Sequence, residues 1–594
     1  MIQTHRLRAA KVGGAILLTA LVFFCASKWL PPTDTHAISA AVSLGYTDRL
    51  PPLVAVLLAG ALAVGLLLSE DAGELPRRIS ETAAPVAHWR WHLAVACLIS
   101  VLQVSLFPIW SRDDNYFGVR IALMVAHKLP YRDFEFAYGY ATAYLPYWLH
   151  MLGLSISQAL VTTLAVAALA GVLSVGLFLQ SAIAQPAMRL TLFWVLVVAG
   201  LLLEPGPSLT YNLCRFASPF ALLLLLVRHA PRLGPIALFA AAAGAQVLVY
   251  FISPEMGVAF SVALVVWLAL SWRELPGVKL AAAAAAVILS GAGLLIFAQP
   301  MFATLFNYMQ AQIGMPVVPD IIMMLFVACL PIMGGVGLRI AQKIWCGSAV
   351  DGADQALIGA GACSALAGAL IPVVVGRSWP TYTVAYGFAT IVLTAGFLAA
   401  AGKPRAAWVV ASVFALFIGY SALDGLRTSW LPLLSNLRHG CASSEPQGCD
   451  HGQAQERRDT LEVGQWLRTS YGAVYDPLAA VGYPQPTTVN LGFYTGMTNI
   501  STVAALNAKK QELINAKFYI VPNGGLEKRR FDRKGSEQGL AGFRTAALYP
   551  FSLSSRPGAP KSLKTVFVDA LFSRCRPIAS HGPVTVCVLQ NPGG

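Results

Sequence analysis

Residues 157–180, SQALVTTLAVAALAGVLSVGLFLQ, run for 24 positions without a charged side chain. A helix crossing a hydrocarbon layer of about 30 Å needs about 20 mostly apolar residues, so this stretch predicts a membrane span. Reading outward from it, comparable runs recur at roughly 14–30, 52–69, 93–109, 190–203, 211–228, 234–252, 256–272, 280–298, 321–340, 354–376, 380–402 and 406–425. With the first they make thirteen. Composition agrees: 56% of the 594 residues are hydrophobic and 12% are charged, half the roughly 25% usual in soluble proteins. Residues 1–425 hold 40 of the 70 charged residues, and the shorter segment 426–594 holds 30. A soluble enzyme, a fibrous protein and a disordered chain are thereby excluded. The predicted fold is an α-helical polytopic membrane protein with about 13 transmembrane helices and a C-terminal soluble α/β domain at 426–594.

The net charge of +14 does not imply nucleic acid, because the basic residues lie in short loops between apolar runs. With the N-terminus cytoplasmic, 15 of the 23 basic residues before position 426 fall on the inner side, as the orientation rule for membrane proteins requires. The segment YLPYWLHMLG (144–153) is too short to cross, and counting it as a span would invert every later loop. It reads as a helix in the outer interface, where Tyr144, Tyr147 and Trp148 suit the headgroup zone. The N-terminal MIQTHRLRAAK precedes an uncleaved first span in an inner (cytoplasmic) membrane.

An odd number of spans places 426–594 outside. There TLEVGQWLRTS and VAALNAKKQELINA read as helices, and GAVYDP, FYIVP, KTVFVDALF and VTVCVLQ as strands. Four of the ten cysteines lie in this region. Cys441–Cys449 with Cys575–Cys587 is the simplest of three pairings in a compartment that permits disulfides.

The chemistry concentrates between Trp110 and Gly153. Asp113 and Asp114 follow the third span, and Asp133 and Glu135 come some twenty residues later, beyond a helical run at 115–128 that brings Arg120 and Lys128 near. A carboxylate at a membrane surface can serve as general base toward a hydroxyl, or bind a divalent metal ion through hard oxygen ligands. The same charges also suit a solvated loop in which Asp113 or Asp114 caps the helix. Elsewhere, Arg215 (in TYNLCRFASP) and Arg377 (in GRSWPTY) sit at outer helix ends with guanidinium geometry suited to phosphate, and Lys128 and Arg132 add charge from the loop. A pairing with Glu204 is the plainer use of Arg215, and an anchor beside Trp379 that of Arg377. Glu255, in FISPEMG, stands at the edge of hydrocarbon, where acids are expensive. His127 and His150 read as satisfied polar residues.

An acidic pair just past an early span, then an amphipathic helix, then LPYRDFEFAYG (129–139) and an aromatic helix containing proline, resembles the first outer loop of the GT-C membrane glycosyltransferases. The resemblance implies a GT-C-like core at 93–425 with its catalytic outer loop at 110–153, two additional N-terminal helices at 1–92, and the extracytoplasmic domain at 426–594. It implies a sugar moved from a polyprenyl-phosphate-linked donor to a glycan, lipid or protein acceptor among the membrane lipids. Asp113 or Asp114 would be the general base, and Asp133, Glu135 and Glu255 would hold acceptor, donor or a metal ion. Two other functions fit the same layout: a lipid or polysaccharide transporter or flippase, and a polymerase or ligase of lipid-linked glycans. The transporter lacks support from internal repeats or charged mid-membrane helices. No GxxxxGK[ST] occurs, which leaves an ATP-driven pump without its phosphate loop.

Overall fold

The computed structural model describes residues 85–106, most of 117–202, 209 and 212–303, part of 322–337, then 352–375, 380–425 and scattered stretches between 462 and 589. Twelve helices are taken here in chain order: α1 (Trp89–Leu106), α2 (Val119–Val125), α3 (Tyr140–Met151), α4 (Ile156–Ala182), α5 (Pro186–Leu202), α6 (Leu213–His229), α7 (Pro235–Ile252), α8 (Pro254–Ser271), α9 (Gly277–Phe297), α10 (Gly352–Val375), α11 (Pro380–Ala400) and α12 (Pro404–Gly425).

The expectation of thirteen spans is corrected. Among the described residues four helices are long and apolar enough to cross a membrane: Ile156–Ala182, Pro235–Ile252, Pro254–Ser271 and Gly277–Phe297. The runs at 14–30 and 52–69 lie outside the described residues. Apolar runs at 190–203, 380–402 and 406–425 correspond to shorter apolar stretches, Pro186–Gly200, Val384–Ala400 and Pro404–Gly419. The run at 211–228 folds into a 17-residue helix whose last turn is Arg228 and His229.

The helices pack around one core into which Phe178, Phe193, Phe220, Phe260, Trp267, Phe388 and Phe414 are buried. Small residues set the closest approaches. A β-carbon on Gly171 of α4 would lie 2.5 Å from the backbone nitrogen of Cys214, and one on Gly396 of α11 would lie 2.4 Å from the carbonyl oxygen of Ala182. Such contacts let helix backbones approach without a side chain between them. Several polar side chains within the bundle are paired: Ser271 donates to Gln355 at 2.6 Å, and Ser290 donates to Gln246, which donates to Ser261.

The described part of the loop between α1 and α4 folds on a small core built from Phe117, Ile121, Met124, Phe136 and Tyr138 with Leu160 and Leu164 of α4. The helix read at 115–128 is the shorter α2. His127, at φ 60°, ends it: its amide donates to Met124 and the Lys128 amide to Leu123, a left-handed stop usually made by glycine. Gly118 precedes it with no side-chain cap, and the reading of Asp113 or Asp114 as a cap lies outside the described residues. α3 has 12 residues, about 18 Å of helix, short of a hydrocarbon layer. Gly153 and a Ser155–Gln158 capping box then turn the chain into α4. His150 is bonded through Nδ1 to the Leu154 carbonyl at 2.7 Å.

In the C-terminal region the expected α/β domain reduces, among described residues, to a small open antiparallel sheet with helical residues beside it. Strands β1 (Tyr519–Pro522), β2 (Cys575–His581) and β3 (Val584–Leu589) are ordered β1-β3-β2. Val584 and Val586, two apart on β3, point into a core with Val463, Leu467, Val474 and Ile520. β1 and β3 coincide with FYIVP and VTVCVLQ. The third described strand is Cys575–His581, downstream of KTVFVDALF, which lies outside the described residues. Cys575 and Cys587 form a disulfide across β2 and β3. Cys441 and Cys449 are outside the described residues.

Candidate functional site

Two helices begin at one place in the bundle, beside a third. α6 begins after Asn212, whose side-chain oxygen accepts the Arg215 amide at 3.0 Å. α8 begins at the sharp α7–α8 turn, with Ser253 as N-cap, Pro254 in the first position and Glu255 in the first turn. An acid there is favoured by the positive end of the helix dipole, whereas a cation in the first turn of α6 is disfavoured. Arg215 nevertheless occupies that turn, 5% exposed, in an ion pair with Glu255. Its Nε donates to Ser253 Oγ at 3.3 Å. From α11, the buried Tyr386 donates its hydroxyl to Glu255 Oε1 at 2.8 Å and sets its ring edge-on to Phe216, 4.9 Å between centroids.

The loop between α1 and α4 closes on this cluster. The ring of Tyr138 lies under the Arg215 guanidinium, 5.0 Å from centroid to Cζ, a cation–π distance. Tyr138 is held by its carbonyl, which accepts from the Tyr131 hydroxyl. Beside it Tyr140 packs on Phe251 of α7, and Gly139 presses on the α7–α8 turn so closely that a β-carbon would lie 2.1 Å from the Phe251 carbonyl oxygen. Residues 138–140 are thus registered against the helix start that carries Ser253 and Glu255.

Of the sequence-predicted residues, Arg215 and Glu255 are brought together, and each is the other's partner. Glu204 lies outside the described residues. Arg132 and Asp133 pair with each other at 3.0 Å, Arg132 well exposed, and Asp133 also accepts the Leu129 amide at 2.8 Å. Lys128 is exposed. Asp113, Asp114, Glu135 and Arg377 lie outside the described residues. Among the described residues no three of His, Cys, Asp and Glu gather closely enough to hold a metal ion. Tyr386, Ser253 and Tyr138 went unread as site members. The available signal was the turn SPE, a small polar N-cap with Pro and an acid in the first turn; nothing in the sequence distinguishes Tyr386 from its neighbours.

The Arg132 hydrogen bond, then that from the Leu129 amide, hold the Asp133 carboxyl below its ordinary range. A depressed folded-state value favours the bonded turn above the ordinary carboxylate pKa, and that preference disappears as pH falls through the depressed value. The protection factor of the Leu129 amide is therefore expected to be flat near neutrality and to drop below about pH 4. Asp133→Asn should remove the pH dependence. A fall that persists in that variant would assign it to another group.

No protein-family model matches the chain, and no curated protein matches its sequence. Among solved structures there is a distant match to ArnT, a GT-C membrane glycosyltransferase, from Cupriavidus metallidurans, determined bound to undecaprenyl phosphate. The identity is 11% and the TM-score 0.35, over 85% of this chain and 98% of that one. A likeness so loose carries no residue role from one protein to the other.

Proposed function

We propose that the chain is a membrane glycosyltransferase that moves a sugar from a polyprenyl-phosphate-linked donor to an acceptor on the extracytoplasmic face. The observation that supports it best is Arg215: a buried cation in a first turn where the helix dipole opposes it, held by Glu255 and Ser253 and roofed by Tyr138 of the outer loop. A position that disfavours a cation and is nevertheless built around one suits an anionic ligand. The departing lipid phosphate needs such stabilisation. In this reading Asp113 or Asp114 takes the proton from the acceptor hydroxyl as its oxygen attacks the anomeric carbon. The bond to the lipid phosphate breaks with inversion, and the phosphate leaves toward Arg215, with Lys128, Arg132 and Arg377 adding charge. Asp133 and Glu135 hold acceptor or donor, or a divalent metal ion.

The test is turnover of radiolabelled polyprenyl-phosphate sugars by protein in nanodiscs. Wild type should consume at least one donor. Either Asp113→Asn or Asp114→Asn should lose about 10²-fold or more of that activity while still binding donor. If no donor is consumed or bound, the reading fails and lipid transport takes its place.

A further inference from the structure

The carboxylate of Glu255 uses one of its two oxygens. Oε1 accepts from Arg215 Nη2 and from the Tyr386 hydroxyl, whereas Oε2 is buried and has no hydrogen-bond partner. A guanidinium can close on both oxygens of a carboxylate. Here its Nε is turned instead to Ser253 Oγ. A buried acceptor without a donor costs free energy, and native proteins seldom leave one without a reason. The Glu255 side chain keeps 14% exposure although Oε2 itself is covered, so a ligand meets Oε2 once the side chain turns it outward.

The charge of the cluster narrows what completes it. Glu255 is already neutralised by Arg215, so an ammonium at Oε2 would add an uncompensated buried charge. An anion at Oε2 itself would meet a carboxylate oxygen, whereas the departing phosphate of the proposed reaction is directed to the guanidinium. A hydroxyl satisfies Oε2 and adds no charge. We infer that Oε2 of Glu255 accepts a hydrogen bond from one hydroxyl of the bound sugar and so determines which sugar is taken. Tyr386 is the positioning residue that keeps Oε1 occupied. The identification of the hydroxyl as a sugar's rests on the glycosyltransferase reading above.

A site built to bond a hydroxyl rejects the analogue that lacks it. The experiment is infrared difference spectroscopy on full-length protein in nanodiscs, with ¹³C-labelled glutamate carboxyls. The ligands are the methyl glycosides of mannose, glucose, galactose and arabinose and their monodeoxy analogues. One glycoside should shift a carboxylate band that is missing from Glu255→Gln. Deleting one particular hydroxyl should abolish the shift and weaken binding tenfold or more, against less than threefold in the variant. Should Glu255→Gln not fold, Tyr386→Phe identifies the band by moving it, since it removes one donor to the same carboxylate. If no glycoside moves the band, or every deoxy analogue moves it equally, the inference is overturned. If a band responds to one hydroxyl yet wild type consumes no lipid-linked donor, the hydroxyl site stands and the transferase reading falls.

Discussion

Arg215→Met is expected to destabilise the protein by about 3–5 kcal/mol, the usual cost of removing one partner from a buried ion pair. The loss comes mainly from what remains: Glu255 would be left as a buried carboxylate with only the Tyr386 hydroxyl to compensate it, on a helix start that cannot move without α7. The same variant should lower turnover by about 10²–10³-fold, the effect of deleting one donor to a developing negative charge. The double variant Arg215→Met/Glu255→Met separates the two consequences. Two apolar side chains of similar volume should restore most of the stability, because the desolvation of both charges is also removed, yet should leave activity as low as in the single variant. Unfolding in mixed detergent, read beside donor consumption, gives both numbers. A single variant as stable as wild type would mean that Arg215 and Glu255 are not coupled in the folded protein.

Gly139→Ala should have the next largest effect, and for a different reason. The backbone there, φ −63° and ψ 155°, is open to any residue, so no conformational strain is involved. The obstacle is that the added methyl group would sit 2.1 Å from the Phe251 carbonyl oxygen and 2.8 Å from the Ile252 carbonyl carbon. Both are backbone atoms at the end of α7, and neither can turn aside as a side chain would. Overpacking of this kind costs about 1–3 kcal/mol. It should be relieved by lifting the loop, which would take Tyr138 off Arg215 and disturb the Ser253 turn. The expected result is faster amide exchange across 131–140 and turnover reduced at least tenfold, with the rest of the bundle unchanged. Gly244→Ala, on the same helix α7 with nothing within 4 Å of its added β-carbon, is the matched control. Equal exchange in the two variants would show that the loop is not seated by this contact.

Much of the site was legible as single residues and little of it as an arrangement. Arg215 and Glu255 stand out because a charge at the end of an apolar run is costly and therefore rare, a property each residue carries by itself. Their pairing was not legible: the nearer acid along the chain was Glu204, and Glu255 lies 40 positions beyond Arg215, past the hairpin turn between α6 and α7. Tyr386 was invisible for a related reason. It is one of several aromatics near the start of α11, and only the packing of that helix beside α6 and α10 brings its hydroxyl to the carboxylate. The loop was read as an acidic, partly solvated segment. Its described part is instead held by Phe117, Phe136 and Tyr138 in a small core, with Asp133 engaged by Arg132 and the Leu129 amide.

By itself the sequence determined that the chain is helical, too apolar for water over most of its length, and turned at Pro, Gly and basic clusters. Those properties are local: hydropathy, helix capping and proline geometry act within a few residues of where they are written. It also gave thirteen spanning helices, against the four that are long and apolar enough among the described residues. Only the tertiary structure decided that the starts of α6 and α8 meet beside Tyr386 of α11, that an arginine in an unfavourable turn is compensated from another helix, and that one carboxylate oxygen is left unbonded. Those features depend on distances between segments far apart in the chain. They are set by where glycines let backbones touch and by which side chains fill the space between helices.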